Sequence, residues 1–225
     1  MQTSSEIQFN RFLECLNEAG CLSDIVIIGS WAEHVYGKSK MLDGFNPSIR
    51  TDDADFLITN LRKPREKSDL VKVAEKAGFI YSEDSFSGDS KFSGSGMFEV
   101  EFLISQRGDG TKKLPRTNIG VNAQQLTHLN ILARNTVSTS YNGLNVIVPE
   151  PEAYVLQKMA INHLRRIKAE PDRQKIYGLL PYLDETRLNC IYQQLSTKEK
   201  TRCAAYMSEY CPTISLTEDK ILLKV

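Results

Sequence analysis

The apolar positions along the chain change period several times, and the changes divide it into elements. From Glu6 to Ala19 they recur at Ile7, Phe9, Phe12, Leu13 and Leu16, the spacing of one helix face, with Gly20 following as a C-cap. "DIVIIGS" (24–30) is a short run rich in β-branched residues that ends in Gly-Ser and reads as a buried strand. "WAEHVYG" predicts a helical turn or two ended by Gly37; a polar loop follows, and "DADFLIT" (53–59) predicts the second strand. "SDLVKVAEKAGF" predicts an amphipathic helix with Ser68 as N-cap and Gly78 past its end. "FIYSEDSF" and "MFEVEFLIS" predict strands, and the Gly/Ser-rich "SGDSKFSGSG" between them predicts a flexible hairpin loop; a phosphate cradle there would lack a following helix or Lys. "QRGDGTKKLPRTN" predicts a further loop, "AQQLTHLNILA" a short helix, and "TVSTSYNGLNVIV" a hairpin turning at Asn-Gly. Beyond Pro149 and Pro151 the pattern turns helical, through "EAYVLQKMAINHLRRIKA" and "DRQKIYGLLPYL" to about Tyr210, and the tail "SLTEDKILLKV" fits strand or helix. Strands with interspersed helices, then a helical block, argue an α/β or α+β domain over 1–148 followed by a helical unit over 149–225.

Composition narrows the function classes. The 225 residues can bury a substantial core. Lys plus Arg equals Asp plus Glu at 28 each, so overall charge predicts neither a nucleic-acid coat nor a membrane surface, and an anionic partner has to be met by a local patch. No apolar run approaches the length of a membrane span, and the opening residues read as an amphipathic helix rather than a signal peptide. The five cysteines (Cys15, Cys21, Cys190, Cys203, Cys211) form no C-x-x-C pair, which argues against a zinc site or disulfide framework and for a reduced, cytoplasmic protein.

The chemistry concentrates on charges in strands. Asp53 and Asp55 alternate with Ala54 and Phe56, so both carboxylates leave the same face while the apolar pair enters the core. Adjacent carboxylates repel unless a cation or donors separate them, and Mg²⁺ is commonly held by one or two carboxylates plus substrate phosphates. A solvated strand face is the simpler explanation of a lone D-x-D. In "FEVEFLI", however, Glu99 and Glu101 stand opposite an apolar face of Phe98, Val100, Phe102 and Ile104. If that strand lies beside "DADFL", a third carboxylate joins the first two; spacing does not choose between Glu99 and Glu101. Gly29 allows backbone to approach a phosphate, Ser30 adds a hydroxyl, and the start of the next helix favours an anion.

Together, "IIGSWAEHVYG", "RTDDADFLI" and "FEVEFLI" resemble the nucleotidyltransferase superfamily, the fold of polymerase β and of the aminoglycoside nucleotidyltransferases. "NIGVNAQQLTHLNIL", "NVIVPEPEAYVLQKMAINHLRR" and "KAEPDRQKI" are similar to later segments of a bacterial branch called GSLA-type nucleotidyltransferases, itself similar to nucleotidyltransferase toxins of abortive-infection systems. The resemblance runs from about Asp24 to Leu183. It implies an α+β fold, a mixed sheet flanked by helices with a helical C-terminal domain. It also implies Mg²⁺-dependent transfer of a nucleoside monophosphate from an NTP to a hydroxyl of RNA (tRNA among them), protein or a small molecule. Two Mg²⁺ ions are implied, with Asp53, Asp55 and Glu101 as metal-binding and catalytic carboxylates, Gly29 and Ser30 on the phosphates, and Lys158 facing the nucleotide. Arg166, Lys168 and Asp172 fall where the toxin-like relatives carry a basic and acidic cluster. The sequence departs from the family in a long gap between Ser30 and Asp53, in Glu at the third acid position, and in "KAEPDRQ" where relatives show Lys directly before Asp. The Glu supports an alternative, a nucleotidyltransferase-fold protein that binds a nucleotide or partner without turnover.

Other polar residues carry less. Arg50 and Thr51 fit either a phosphate contact or the anchoring of the strand start. Lys158, Arg165, Arg166 and Lys168 fall on one expected helix, where a solvated basic face competes with a patch, running to Lys175, that steers a phosphate-rich acceptor. His34, His128 and His163 are expected as surface or helix residues rather than ligands, and Trp31 as a packing residue.

Overall fold

The structure is a computed structural model that describes residues 2–47, 51–61, 69–106, 117, 119–217 and 220–223. Helix α1 (Ser4–Glu18) starts at a capping box in which Thr3 and Glu6 satisfy each other's backbone N–H groups, and it buries Phe9, Phe12, Leu13 and Leu16. Strand β1 (Ile25–Ile28) runs directly into α2 (Gly29–Lys38), and β2 spans Asp53–Ile58. Helix α3 (Leu70–Lys76) is capped by the Asp69 side chain; the expected cap Ser68 lies outside the described residues. Then come β3 (Ile80–Glu83), β4 (Ser90–Ser93), β5 (Glu99–Ser105), β6 (Gln124–Leu126), α4 (Asn130–Arg134), β7 (Thr136–Tyr141) and β8 (Leu144–Pro149). The helices α5 (Pro151–Ile161), α6 (Ala169–Leu179), α7 (Glu185–Tyr192) and α8 (Thr197–Tyr210) follow, and β9 (Ile214–Thr217) pairs with β10 (Lys220–Leu223).

The fold is α+β, as expected. A mixed eight-stranded sheet has the order β3-β4-β5-β2-β1-β8-β7, with β6 joining β5 in parallel near the end of that strand. β2 runs antiparallel to β1 and parallel to β5. β7 and β8 form the expected hairpin, with Asn142 and Gly143 at positive φ as a type I′ turn demands. Aromatic rings fill the space between α1 and the sheet: Phe9 stacks on Trp31 at 4.0 Å between centroids, and Phe12 meets Phe56, Phe79, Phe92 and Phe102. One continuous buried cluster extends from α1 through the sheet to α5–α8. Among the described residues, no helix is long and apolar enough to cross a membrane.

Three expectations are corrected, and one left open is decided. The Gly/Ser-rich segment is not simply a loop: β4 lies inside it, because Ser90 and Phe92 alternate into the core while Lys91 points out, and Phe92 is fully buried. The "AQQLTHLNILA" segment splits into β6 and α4 at His128, whose φ of +63° no helix tolerates. The long basic helix ends at Ile161, and two 3₁₀ turns with Arg166 at φ +43° carry the chain to α6. The ambiguous tail is a hairpin, fastened to α7 by a two-way bond between Asn189 and the Ile221 backbone. The "QRGDGTKKLPRTN" loop lies mostly outside the described residues.

Replacing Phe92 with Ala should destabilise the protein by about 3–5 kcal/mol. Denaturant unfolding measures it, and a loss below about 1 kcal/mol would mean that β4 is not part of the core.

Candidate active site

Register places the site. Ile28, the last residue of β1, is paired with Asp55, and on the other side of β2 Asp55 is paired with Glu101. One carboxylate therefore sits between the turn that follows β1 and a second carboxylate. Asp53 lies two residues earlier on the same face, paired with Glu99. Gly29 makes the close approach possible. Its φ is +66°, and a Cβ there would lie 2.6 Å from Asp55 Oδ2. Ala54, Phe56, Val100 and Phe102 enter the core between these charges.

The Asp55 carboxyl is pushed up to about 6 by burial first, then by the negative charge of Glu101, with Asp53 adding to it and Lys168 and Lys158 opposing. Glu101 is not alone. Lys91 of β4 places its ammonium 2.6 Å from Glu101 Oε1 and 3.9 Å from Glu99 Oε2. Asp53 is exposed. Thr51 Oγ1 donates to the Asp53 carbonyl at 3.2 Å, so it anchors the strand start in the manner of one of its two expected roles. Arg50 lies outside the described residues.

Gly29, Asp55 and Glu101 open into a cleft of about 410 Å³. Leu103, Leu126, Leu132 and Ile161 also line it, together with polar Gln124, Gln157 and Lys168. Lys158 lines the cleft but is not a solvated surface lysine. It is 5% exposed, its ammonium is 2.7 Å from Asp172 Oδ1, and it lies 4.8 Å over the Tyr154 ring. Arg165 Nε takes the other Asp172 oxygen at 3.0 Å. Burial works to raise the Asp172 carboxyl, but Lys158 and Arg165 outweigh it and hold it below the usual carboxylate value. The expected basic patch is thus divided: Lys158 and Lys175 are buried in ion pairs, whereas Arg166 and Lys168 are exposed.

Three contributors were missed in the sequence. Lys91 was concealed in the presumed loop, although "SKF" carries the strand alternation that would have revealed it. Glu33 sits among apolar residues in "WAEHVY" and is 1% exposed; burial raises its carboxyl, while Lys175 at 3.6 Å and the Tyr154 hydroxyl counter that. The sequence places Lys175 only at the end of a surface patch, whereas in the structure it donates to Ser30 Oγ at 2.5 Å. His34 is buried beside Tyr141 and Glu6, His128 bonds Glu199 at 2.9 Å, and His163 is exposed. Trp31 packs, as expected.

A family model described as nucleotidyltransferase matches residues 8–198, most of the chain. The chain belongs to the nucleotidyltransferase family. This nucleotidyltransferase is a transferase, and the reaction of its family is the movement of a nucleoside monophosphate. Among solved structures it is similar in fold to an antigenic nucleotidyltransferase-like protein from Paracoccidioides brasiliensis, with 17% identity, 92% of this chain and 89% of that chain covered, and a TM-score of 0.55. A looser likeness, TM-score 0.45 at 14% identity over 93% of this chain and 100% of that chain, is to ANT(2″)-Ia in complex with adenylyl-2″-tobramycin. No curated protein matches the chain.

The donor set fits a hard divalent cation. Asp53 and Asp55 offer oxygen ligands from one face of one strand, and Glu101, whose negative charge adds to burial in raising the Asp55 carboxyl, stands opposite Asp55. Among the described residues, no three His, Cys, Asp or Glu side chains are already gathered as a metal cage. Two carboxylates completed by substrate phosphates are the arrangement magnesium commonly takes.

Two outcomes follow for the nucleotidyltransferase. Because the Asp55 carboxyl is raised, its burial favours the fold at pH 4 and weighs against it as pH climbs through about 6. In EDTA, Asp55→Asn should therefore raise the melting temperature at pH 7.5 and leave it unchanged or lower at pH 4; an equal shift at both pH values contradicts this. Gly29→Ala should destabilise by roughly 1–3 kcal/mol through strain at positive φ, and Asp55→Ala should recover part of that loss by removing the clash. Additive losses in denaturant unfolding would mean that the two residues do not touch.

Proposed function

We propose that the protein is a magnesium-dependent enzyme that transfers a nucleoside monophosphate from an NTP to a hydroxyl of RNA, protein or a small molecule. The observation that carries this reading is the position of Asp55 between the Gly29 turn and Glu101, at one end of a cleft of about 410 Å³. Asp53 and Asp55 would hold the metal, with Glu101 as further ligand or as base. Magnesium, when bound, would neutralise triphosphate charge and lower the pKa of the acceptor hydroxyl.

The chain's own groups account for the rest. Gly29 lets the backbone approach the β- and γ-phosphates, and the N–H groups opening α2 give that end of the cleft a positive dipole. The acceptor oxygen forms its bond to the α-phosphorus as the bond to the β-phosphate bridging oxygen breaks, and pyrophosphate departs with the pair of electrons. Glu101 is the group suited to receive the hydroxyl proton, once Lys91 yields its 2.6 Å contact. Lys158 would offset charge on the departing pyrophosphate, although Asp172 also claims it. Thr51, and Arg50 if it reaches the site, would steady the strand start or a phosphate. The leucine and isoleucine side chains in the lining suit a base or the body of an acceptor, and exposed Lys168 suits an anionic acceptor. We assign the sheet-bearing part, 1–148, to catalysis and the helical part, 149–225, to closing the site from the opposite side. The later sequence segments favour the GSLA-type branch and kinship with abortive-infection toxins. Five free thiols fit a cytoplasmic setting.

The test incubates the full chain with each α-³²P-labelled NTP, Mg²⁺, and either bulk RNA, lysate protein or small hydroxylated acceptors. Labelled product should form with at least one NTP, and should fall to background in Asp53→Ala, in Asp55→Ala and in EDTA. Product that survives both substitutions would overturn the assignment of the carboxylates; no product from any combination would overturn transfer to these acceptor classes.

A further inference from the structure

Lys175, on α6, is distant in sequence from the glycine-serine turn, yet its ammonium lies 2.5 Å from Ser30 Oγ and 3.6 Å from Glu33 Oε1. The lysine is 7% exposed. Tyr154 from α5 donates to the same Glu33 oxygen, so three helices meet behind the turn. An ammonium has protons to give and no lone pair. In the Lys175–Ser30 bond the hydroxyl oxygen is therefore the acceptor, and the hydroxyl's own proton is left for another partner. Accepting a bond from a cation also makes that proton a better donor, because linked hydrogen bonds polarise one another. Ser30 stands in the first turn of a ten-residue helix, where backbone N–H groups favour an anion, directly after the glycine that packs on Asp55.

We propose that Lys175 is a positioning residue, which holds the Ser30 hydroxyl so that its proton is presented to a phosphate oxygen of the nucleotide and which sets a fixed positive charge behind that turn. The inference rests on the nucleotidyl-transfer reading above. It differs from a purely structural role, in which Lys175 would merely neutralise buried Glu33. The shorter of its two contacts is to the serine.

The experiment measures binding of ATP, GTP, CTP and UTP in Mg²⁺ by calorimetry to the full-length protein. The variants are Ser30→Ala, Lys175→Met, Lys175→Arg, the Ser30→Ala/Lys175→Met double, and Glu33→Gln/Lys175→Met. Melting temperatures are recorded for all of them. Ser30→Ala and Lys175→Met should each weaken the best nucleotide about tenfold or more, the value of a hydrogen bond with a charged partner. The Ser30→Ala/Lys175→Met double should lose less than the product of the two single losses, because both act through one bond. Lys175→Arg should regain part of the affinity. Glu33→Gln/Lys175→Met, which removes the Glu33 carboxylate together with the lysine that faces it, should recover melting temperature and not affinity. Unchanged binding in Lys175→Met or in Ser30→Ala, multiplying losses in the first double, or recovered affinity in the second would each overturn the role of Lys175 and leave the nucleotide reading standing. A wild-type protein that binds none of the four nucleotides overturns that reading, and the role of Lys175 with it.

Discussion

The placement of one carboxylate governs the site. β2 is antiparallel to β1 and parallel to β5, and the two registers oppose Asp55 to Ile28 on one side and to Glu101 on the other. A side-chain period of two means that a slip of one residue in either pairing would send the acids to the core and Ala54 and Phe56 to the cleft. The buried apolar residues between the acids forbid that slip, since Ala54, Phe56, Val100 and Phe102 are each at most 1% exposed. The hydrophobic core thus fixes the geometry of the charges, and the charges repel one another in exchange. The arrangement holds the Asp55 carboxyl near 6, while Lys91 of β4 bonds Glu101 across the next strand pair.

Behind the turn, a second set of charges is arranged to opposite effect. Lys158, Arg165 and Lys175 are matched against Asp172 and Glu33, and the Tyr154 hydroxyl completes the set. Buried ion pairs seldom stabilise a protein more than apolar packing of equal volume would, because desolvation offsets the Coulomb attraction. Their value here is geometric. They fasten α5 and α6 to α2 at the Gly29–Ser30 turn, so the helices that follow β8 bear on the site rather than merely flanking it.

Most of the sheet was legible because its strands carry strong signals: β-branched runs in β1, alternation in β2 and β5, and Asn-Gly in the β7–β8 hairpin. The pairing of Asp53 and Asp55 on one face followed from alternation alone. The choice of Glu101 did not; spacing left Glu99 open, the family resemblance pointed to Glu101, and the register opposes Glu101 to Asp55. β4 was illegible because Gly and Ser surround its four residues, and its stability comes from burying Phe92 against distant aromatic rings rather than from local propensity. The break after Ile161 was hidden by residues that are ordinary helix formers, since tertiary contacts to Asp172 draw Arg165 out of the helical path. Lys175 looked like the end of a surface patch and Glu33 carried no signal at all, because nothing local shows that a charged residue will meet its partner across the fold.

The central claim is that Asp53 and Asp55 present oxygen ligands to a metal-bound triphosphate beside the Gly29 turn. The most direct measurement is a crystal structure with a non-hydrolysable NTP analogue and Mn²⁺, with the ion located by its anomalous scattering. The account predicts an anomalous peak bonded to both aspartates, with the β- and γ-phosphates over the start of α2. A nucleotide bound elsewhere, or an ion that touches neither aspartate, would contradict it.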